Sequence, residues 1–416
     1  MRTKLVLALL LAMSLSFKPS RALPASGSTS TEWRNDEANL EVVREFNRAL
    51  EYIPFSSEYE GVLDQCPFRI DWSLGPNLPM PWKGGISGVF GSEIILTGGG
   101  WGDGGPHTFL YDTKAAEYRD IAKSPVVTGF TQGAADDRHV YLVGGKSAGQ
   151  TAAKLGREQD GTWHWSSLPS VPEANRWTSV VNVAGRWLLL YRGRDMSKPA
   201  RVDLPAWRLR LDKPDARWEP MAPYPGQASS VITSAVVRGK VYAFGGWREV
   251  DALEEMSESV NLWKKYRIWP FSRIIEHRDA YRYDPEKNEW KAIRRLPFPM
   301  FGSKGIALND RYILLMGIGS KRTTRVGKSI PERKPLLDQY WTGFDDTILC
   351  YDIEQDNYSR VGLMLYGVSS WNWALVGNRL YCFGGEPKHG FNSNRENVVQ
   401  IGTIREAGPQ KGVKKL

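Results

Sequence analysis

Cysteine and histidine are scarce in this sequence. The 416 residues include three cysteines and five histidines. Three cysteines cannot build a disulfide framework, and the odd number leaves at least one thiol free. Cys350 and Cys382 lie in apolar, strand-like runs, which favours buried and inert thiols. The histidines show no pair at the spacing of metal ligands, so no metal site is indicated and no cofactor is expected.

Long apolar runs are also scarce, and the one that stands out lies at the N-terminus. Arg2 and Lys4 precede the run LVLALLLAMSL, and Ala22 or Ala25 is suited to cleavage. This pattern is typical of an export signal. We therefore expect residues 1–25 to be a signal peptide and the mature protein to be secreted or periplasmic, with no membrane attachment after cleavage. The alternative is a retained amphiphilic anchor, since the run is short for a membrane span.

The excess of positive charge is small and spread along the chain. Lys and Arg number 55 against 46 Asp and Glu, which gives a net charge of +9. The local exception is a basic C-terminal tail at 405–416, which ends in KGVKKL. No basic helix or aromatic RNA-binding signature accompanies the charge, so nucleic acid is not an expected partner. A mild attraction for anionic ligands is expected instead.

Glycine, in contrast, is abundant and recurs at regular places. Six times an apolar run ends in glycine, most often in a pair. The copies are EIILTGGG (93–100), HVYLVGG (139–145), RWLLLYRG (186–193), KVYAFGG (240–246), RYILLMGIG (311–319) and RLYCFGG (379–385). Most copies continue with a run that ends in Asp, then a run with Trp, then a Pro-containing exit such as LPSVP or LPFPM. Each unit thus reads as four short strands, with glycine where backbones approach closely.

The spacing of these units predicts a ring. Successive copies begin 46 to 71 residues apart, which suits propeller blades of which two carry insertions. The pattern resembles kelch repeats, so we expect an all-β, six-bladed kelch-type β-propeller over residues 67–404. Two copies depart from the glycine pair, with Arg192-Gly193 in the third and Gly317-Ile318-Gly319 in the fifth.

The ends of the repeat region complement each other. The sixth unit lacks a Trp strand, whereas FRIDWSLGPNLPMP at 68–81 is a Trp strand and exit with no unit before it. We expect this N-terminal strand to close the last blade and remove its exposed edges. Residues 26–66 are predicted to form a short helical extension, with helical apolar spacing over 31–53. The insertion at 248–279 is predicted to contain a helix, and a second insertion lies at 320–345.

Candidate site residues come from the loops that follow the glycine pairs and from the starts of the innermost strands. In a propeller these segments gather around one mouth of the central channel. The set is mostly cationic and includes Arg192, Arg176, Lys304, Asn372 and Arg395, with Glu386 as a notable carboxylate. A negatively charged ligand is therefore expected.

Several phrases resemble the secreted kelch proteins called N-acetylneuraminate epimerases and their cyclically permuted mutarotase relatives. These are DWSLGPNLPMP, LPAWRLRLDKPDARWEPMAPYPG and YDPEKNEWKAIRRLPFP. In that family a Gly-Glu pair, followed by a glycine and an Arg before an apolar strand, supplies an acid–base Glu and an Arg at the sugar. Gly385-Glu386, Gly390 and Arg395 before Val398 fit this pattern. The helical prefix and the insertion in blade four depart from it.

The resemblance implies a mutarotase that interconverts the anomers of an acidic amino sugar such as N-acetylneuraminate. Glu386 would be the catalytic acid–base group, and Arg395 would bind the sugar carboxylate, with Arg176, Arg192 and Asn372 as further substrate-binding residues. The alternative is a non-catalytic extracellular propeller that binds a glycan or a protein through the same mouth. Under that alternative, arginines near the loops bind backbone carbonyls between blades. The sequence does not predict the oligomeric state.

Overall fold

The computed structural model describes thirteen stretches of the chain, and all their regular structure is β-strand. The stretches are 66–99, 106–126, 131–145, 149–173, 176–177, 179–195, 204–228, 230–249, 274–302, 304–317, 346–365, 367–386 and 397–407. The predicted signal peptide, the helix over 31–53, the middle of the 248–279 insertion, the 320–345 insertion and residues 408–416 lie outside them. No helix in these stretches is long and apolar enough to cross a membrane.

The strands of the first half of the chain follow the predicted units. In chain order they are β1 (Phe68–Leu74), β2 (Ile86–Phe90), β3 (Glu93–Thr97), β4 (Thr108–Asp112), β5 (Glu117–Asp120), β6 (Thr131–Ala135), β7 (His139–Gly145), β8 (Ala152–Arg157), β9 (Trp163–Ser167), β10 (Arg176–Trp177), β11 (Val180–Ala184), β12 (Trp187–Tyr191), β13 (Arg194–Asp195), β14 (Trp207–Arg210) and β15 (Glu219–Pro220).

The second half repeats the arrangement up to Glu406. Its strands are β16 (Thr233–Val237), β17 (Lys240–Phe244), β18 (Trp247–Glu249), β19 (Ile274–Glu276), β20 (Ala280–Asp284), β21 (Glu289–Ala292), β22 (Lys304–Leu308), β23 (Tyr312–Met316), β24 (Thr347–Asp352), β25 (Asn357–Leu363), β26 (Asn372–Val376), β27 (Arg379–Phe383) and β28 (Val399–Glu406).

These strands form six antiparallel four-stranded sheets, so the prediction of an all-β, six-bladed propeller is confirmed. From the innermost strand outward the blades are β2-β3-β4-β5, β6-β7-β8-β9, β11-β12-β14-β15, β16-β17-β20-β21, β22-β23-β24-β25 and β26-β27-β28-β1, and we number them 1 to 6. Two short ribbons, β10 with β13 and β18 with β19, are additional to the blades. The second ribbon joins the two ends of the 248–279 insertion.

Apolar packing between blades holds the ring together. Six clusters of buried apolar side chains fill the six junctions between neighbouring blades. The junction of blade 6 with blade 1 is packed like the others, and it includes the completely buried Trp82 against Phe109. Because alternate strand residues face opposite sides, each blade can contribute to the junctions on both of its faces.

The glycine pairs are explained by backbone conformation. At the end of the second strand of every blade, one residue has a positive φ, between 55° and 67°. These residues are Gly98, Gly144, Arg192, Gly245, Gly317 and Gly384. Glycine adopts this left-handed conformation without steric cost. In blade 3 Arg192 adopts it at φ 55°, so the departure from the glycine pair changes the residue and leaves the backbone path unchanged.

The recurrent Asp also has a structural role. Asp112, Asp284 and Asp352 each end the third strand of a blade, and each accepts hydrogen bonds from the backbone N–H groups two and three residues later. Such side chain to backbone bonds stabilise tight turns. The motif therefore fixes the hairpin between the third and fourth strands.

In blades 1, 3 and 4 an aromatic side chain at the outer strand donates a hydrogen bond to the exit segment of the blade before it. Trp218 donates to the carbonyl oxygen of Pro169 at 2.9 Å, and Trp290 donates to that of Ala222 at 3.0 Å. Tyr118 of blade 1 donates in the same way to Pro76, at 3.1 Å, in the segment that follows β1. The N-terminal segment thus makes the contact expected of an outer strand and its exit.

Strand β1 pairs with β28 in antiparallel register from Phe68 with Glu406 to Leu74 with Gln400. We expect removal of residues 1–75 to abolish cooperative unfolding, because it exposes the edge of β28 and the apolar junction beside it. Urea denaturation followed by tryptophan fluorescence and circular dichroism measures this. A chain lacking residues 1–65 retains β1 and is the matched control. A cooperative transition with an unchanged midpoint in the chain lacking residues 1–75 would contradict the prediction.

Two glycines of blade 4 allow two free-energy costs to be measured separately, that of a left-handed backbone conformation and that of steric crowding. Gly239 has φ 69° and open space around it, whereas Gly245 has φ 57° and an added Cβ would lie 2.3 Å from the carbonyl oxygen of Met300. We expect Gly239→Ala to lower the free energy of unfolding by about 1–2 kcal/mol and Gly245→Ala by roughly 3 kcal/mol or more. Equal effects in urea denaturation would show that crowding contributes nothing.

Candidate functional site

The starts of the inner strands and the loops after the glycine pairs lie at the same mouth of the channel. The first residue of each inner strand pairs with the end of the second strand. Examples are Ile86 with Thr97 and Asn372 with Phe383. The residue that follows the glycine pair therefore lies beside the segment that leads into the inner strand. Glu386 is such a residue in blade 6.

The backbone of Glu386 is fixed by two hydrogen bonds to Ser369. The Glu386 N–H donates to the Ser369 carbonyl oxygen at 2.8 Å, and the Ser369 N–H donates to the Glu386 carbonyl oxygen at 3.0 Å. The preceding residue, Gly385, has φ 105°, and an added Cβ there would lie 2.9 Å from the Ser369 carbonyl oxygen. Only glycine meets both demands, so the Gly-Glu sequence follows from the close approach of these two segments.

Lys83 of blade 1 is held against this loop. The residues on both sides of it are bonded to blade 6: the Gly385 N–H donates to the Trp82 carbonyl oxygen at 2.8 Å, and the Gly84 N–H donates to that of Ser370 at 2.5 Å. Gly99 leaves room for the Trp82 ring, since an added Cβ would lie 2.2 Å from it. The backbone of Lys83 is thus fixed at the junction between the first and last blades.

The side chains of Lys83 and Glu386 form a largely buried ion pair. The Lys83 Nζ lies 2.6 Å from a carboxylate oxygen of Glu386, and the two side chains are 8% and 17% exposed. Burial raises the pKa of the Glu386 carboxyl above its ordinary value, and the Lys83 ammonium only partly offsets this. A carboxyl with a raised pKa is suited to proton transfer near neutral pH.

A second lysine–carboxylate pair behaves differently. In blade 4 the Lys240 Nζ lies 2.7 Å from Asp284. The Asp284 side chain is 16% exposed, close to the value for Glu386, but the Lys240 side chain is 36% exposed. There the hydrogen bond from Lys240 dominates and lowers the pKa of Asp284. The two pairs have nearly equal lengths and opposite pKa shifts, because burial is the stronger influence at Glu386. The environment, rather than the partner, distinguishes Glu386 from a structural carboxylate.

The inner strands enclose a cavity of about 590 Å³ along the axis of the ring. Gly84, Gly85, Ser370 and Trp371 line it. Gly84 directly follows Lys83, and Ser370 directly follows the residue that is bonded to Glu386. The ion pair thus lies immediately beside the lining of the cavity, which has the size of a small-molecule site.

Asn372, predicted to bind substrate, begins β26 and lines this cavity. It is 2% exposed, and neither Oδ1 nor Nδ2 of its amide has a hydrogen-bond partner among the described residues. Asn182, another amide of the lining, is satisfied, because it donates to Ser234 and accepts from Tyr191. A buried amide without partners is unusual and costly in a folded protein.

Arg192 is occupied by the fold. Its guanidinium donates to the carbonyl oxygens of Tyr224 and Gly226 and lies over the Tyr224 ring, 5.3 Å from its centroid. This arrangement corresponds to the structural alternative for arginines near the loops. The pocket lining does not include Arg192 among the described residues. We therefore assign it to the packing between blades 3 and 4.

The other predicted arginines are placed only in part. The backbone of Arg176 pairs with Asp195 in the ribbon of β10 and β13, and its side chain lies outside the description. Arg395 lies in the segment 387–396, outside the described residues.

Lys83 was not among the candidate residues. The phrase PWKGG, in which a lysine separates a buried Trp from a glycine pair at the start of blade 1, was the signal for it.

No protein-family model matches the sequence. The curated relatives include the N-acetylneuraminate epimerase of Yersinia pestis (strain Pestoides F), which is 24% identical over 222 residues, 49% of this chain and 52% of the relative. The N-acetylneuraminate epimerase of Haemophilus influenzae (strain 86-028NP) is 25% identical over 202 residues, 45% of this chain and 49% of the relative. The chain spans about half the length of these relatives. The similarities and the six-bladed ring fit a kelch propeller that resembles the N-acetylneuraminate epimerases.

Proposed function

We propose that this protein is a mutarotase that interconverts the anomers of an acidic amino sugar such as N-acetylneuraminate. The observation that carries the proposal is the largely buried Glu386, whose pKa is raised by burial and which contacts Lys83 beside the channel cavity. The names of the relatives support the class of sugar. The N-terminal pattern of residues 1–25 supports export, and we propose that the protein acts in the periplasm or outside the cell.

The chemistry requires two proton transfers. A base removes the proton of the anomeric hydroxyl while an acid delivers a proton to the ring oxygen, so the bond between the anomeric carbon and the ring oxygen breaks. Rotation and the reverse transfers close the ring as the other anomer. Glu386 takes the first proton, and water or the protonated Glu386 supplies the second. A raised pKa brings both protonation states of Glu386 within reach near neutral pH.

Lys83 positions this carboxylate. Its ammonium keeps Glu386 at a fixed place and limits the rise of its pKa, so that the ionised form is available as a base. The net charge of +9 favours approach of an anionic sugar. Arg395 follows Glu386 by nine residues in the sequence, and we propose that its guanidinium binds the sugar.

A non-catalytic binding propeller is the second candidate. The observation that favours it is the position of the ion pair, which links blade 6 to blade 1 and therefore also serves as a structural contact. In that case loss of the carboxylate affects stability and leaves sugar exchange at the buffer rate. The two candidates differ in whether Glu386 transfers protons, and this can be measured.

Replacement of Glu386 by Gln keeps the size of the side chain and removes the base. We expect Glu386→Gln to reduce anomer exchange by roughly a hundredfold or more, the usual contribution of general acid–base catalysis. Binding of the sugar should survive. The measurement is NMR magnetisation exchange between the anomers of N-acetylneuraminate, with N-acetylmannosamine and galactose as comparison sugars.

Glu117→Gln, on the exposed outer strand β5, is the matched control for this variant and should exchange the sugar at the wild-type rate. A wild-type protein that accelerates none of the three sugars beyond buffer excludes the mutarotase for them and favours the binding propeller. An active Glu386→Gln variant excludes Glu386 as the proton carrier.

The pH dependence tests the role of Lys83. Exchange should fall as pH decreases through the raised pKa of Glu386, because the base becomes protonated. Removing the Lys83 ammonium removes the influence that lowers this pKa, so in Lys83→Met the acidic limb of the rate profile should move to higher pH. Lys83→Arg should keep the limb close to its wild-type position.

Lys240→Met is the matched control, because it breaks a lysine–carboxylate pair of similar length far from the channel mouth. Its rate profile should coincide with that of the wild type. An acidic limb that stays in place in Lys83→Met would show that the limb does not report on Glu386, and the assignment of the base would have to be abandoned.

A further inference from the structure

Lys304 is a charged side chain on the wall of the channel cavity. It is the first residue of β22, the inner strand of blade 5, and it lines the cavity. It has no ion-pair or hydrogen-bond partner for its side chain among the described residues. Burial lowers the pKa of its ammonium below the ordinary value. Lys304 is half-buried in the channel wall. A cation held partly away from water without a counter-ion weakens a fold, so its presence in the channel calls for a functional reason.

Two other described cations near the site are occupied. Lys83 contacts Glu386, and Arg192 binds two backbone carbonyl oxygens. Among the described residues that line the cavity, Lys304 is the only basic one. The acidic ones, Asp136 and Asp137, lie in the hairpin after β6. Because inner strands run in parallel around the channel, the start of β22 and the end of β6 lie at opposite mouths.

Asn372 lies on the neighbouring inner strand, at the corresponding first position. Its amide is buried and lacks partners among the described residues. A cation and an unsatisfied amide beside a cavity form the donor set that carboxylates accept from.

The segment that leads to Lys304 contacts the segment that holds Glu386. The Ser369 hydroxyl donates to the carbonyl oxygen of Gly302 at 3.4 Å, and Ser369 is the residue bonded to the backbone of Glu386. Lys304, Asn372 and Glu386 therefore belong to one side of the channel mouth. In a 2-keto sugar acid such as N-acetylneuraminate, the carboxylate and the anomeric hydroxyl share one carbon atom. The group that binds the carboxylate must then lie close to the acid–base residue.

We propose that Lys304 and Asn372 form the binding site for the sugar carboxylate, with Lys304 as its counter-ion and Asn372 as a second donor. The identity of the ligand rests on the proposed function, whereas the anion site rests on the channel geometry. The site makes the protein specific for sugar acids over neutral sugars. It also explains why an uncompensated lysine is kept in the channel, since ligand binding supplies the missing negative charge.

The experiment compares N-acetylneuraminate with its methyl ester, which keeps the sugar and loses the charge. Binding of each is measured by isothermal titration calorimetry to the wild type, Lys304→Met, Lys304→Arg and Lys291→Met. Lys291 lies exposed on the outer strand β21, so its replacement controls for net charge. We expect the wild type and Lys291→Met to prefer the acid, and Lys304→Met to lose about tenfold or more in affinity for the acid alone. Lys304→Arg should retain most of the preference.

Thermal unfolding distinguishes the proposed role from a purely structural one. If Lys304 served only to stabilise the fold, Lys304→Met would unfold at a lower temperature than the wild type. Without ligand, Lys304→Met should unfold at or above the temperature of the wild type, because a half-buried, unpaired charge is removed. A clear loss of stability in Lys304→Met, or a preference for the acid that is unchanged in this variant, overturns the proposal. So does a wild type that binds the acid and the ester equally or binds neither.

Anomer exchange, measured on the same variants, separates this inference from the proposed function. Preference for the acid that depends on Lys304, in a protein that does not accelerate exchange, supports the anion site and contradicts the mutarotase. Acceleration of exchange with an acid preference that is unchanged in Lys304→Met supports the mutarotase and contradicts the anion site.

Discussion

The left-handed residue at the end of each second strand is the constraint on which the rest of the ring depends. It turns the chain sharply at the channel mouth, so that the next residues meet the segment leading into the inner strand. In blade 6 this turn brings Glu386 into backbone hydrogen bonds with Ser369. The same geometry in blade 4 pairs Trp247 with Ser230. One backbone rule therefore creates equivalent positions around the mouth, and the side chain at each position decides its chemistry.

Folding disfavours the charged forms of Glu386 and Lys304 at the channel mouth. Because burial raises the folded-state pKa of Glu386 above its unfolded value, the folded protein binds this proton more strongly. The associated stabilisation is present at low pH and is lost as pH rises through the folded pKa. Lys304 has the opposite pH dependence. Its lowered pKa means that folding disfavours its charged form, and this cost disappears as pH rises above its ordinary pKa. Arg311 and Asp352, which pair at the opposite end of blade 5, have the opposite shifts. Groups held in unfavourable protonation environments concentrate at functional sites.

Much of the fold was predictable because it follows from local patterns. Apolar runs, turn-forming Asp and the glycines recur within each blade, so six blades could be counted even where Arg192 replaces a glycine. The pairing of Lys83 with Glu386 is different, because it joins residues from opposite ends of the chain and depends on how the ring closes. Burial of the Asn372 amide and the missing partner of Lys304 depend on the width of the channel, which no local pattern encodes. Arg192 was predicted to bind substrate because the sequence shows its charge. The sequence does not show that its guanidinium donates to the carbonyl oxygens of Tyr224 and Gly226.

The position of the ion pair couples the site to the closure of the ring. Lys83 comes just after β1 and its exit, and Glu386 comes shortly before β28. The exit segment is attached to blade 6 by backbone bonds from Gly75 to Val399 and from Leu78 to Asn397. These bonds direct the chain from the outer edge of blade 6 towards Trp82 and Lys83 at the mouth. Because both halves of the pair flank this junction, Glu386 acquires its buried partner only when the first and last blades have met. The Lys83–Glu386 pair therefore forms only in a closed ring.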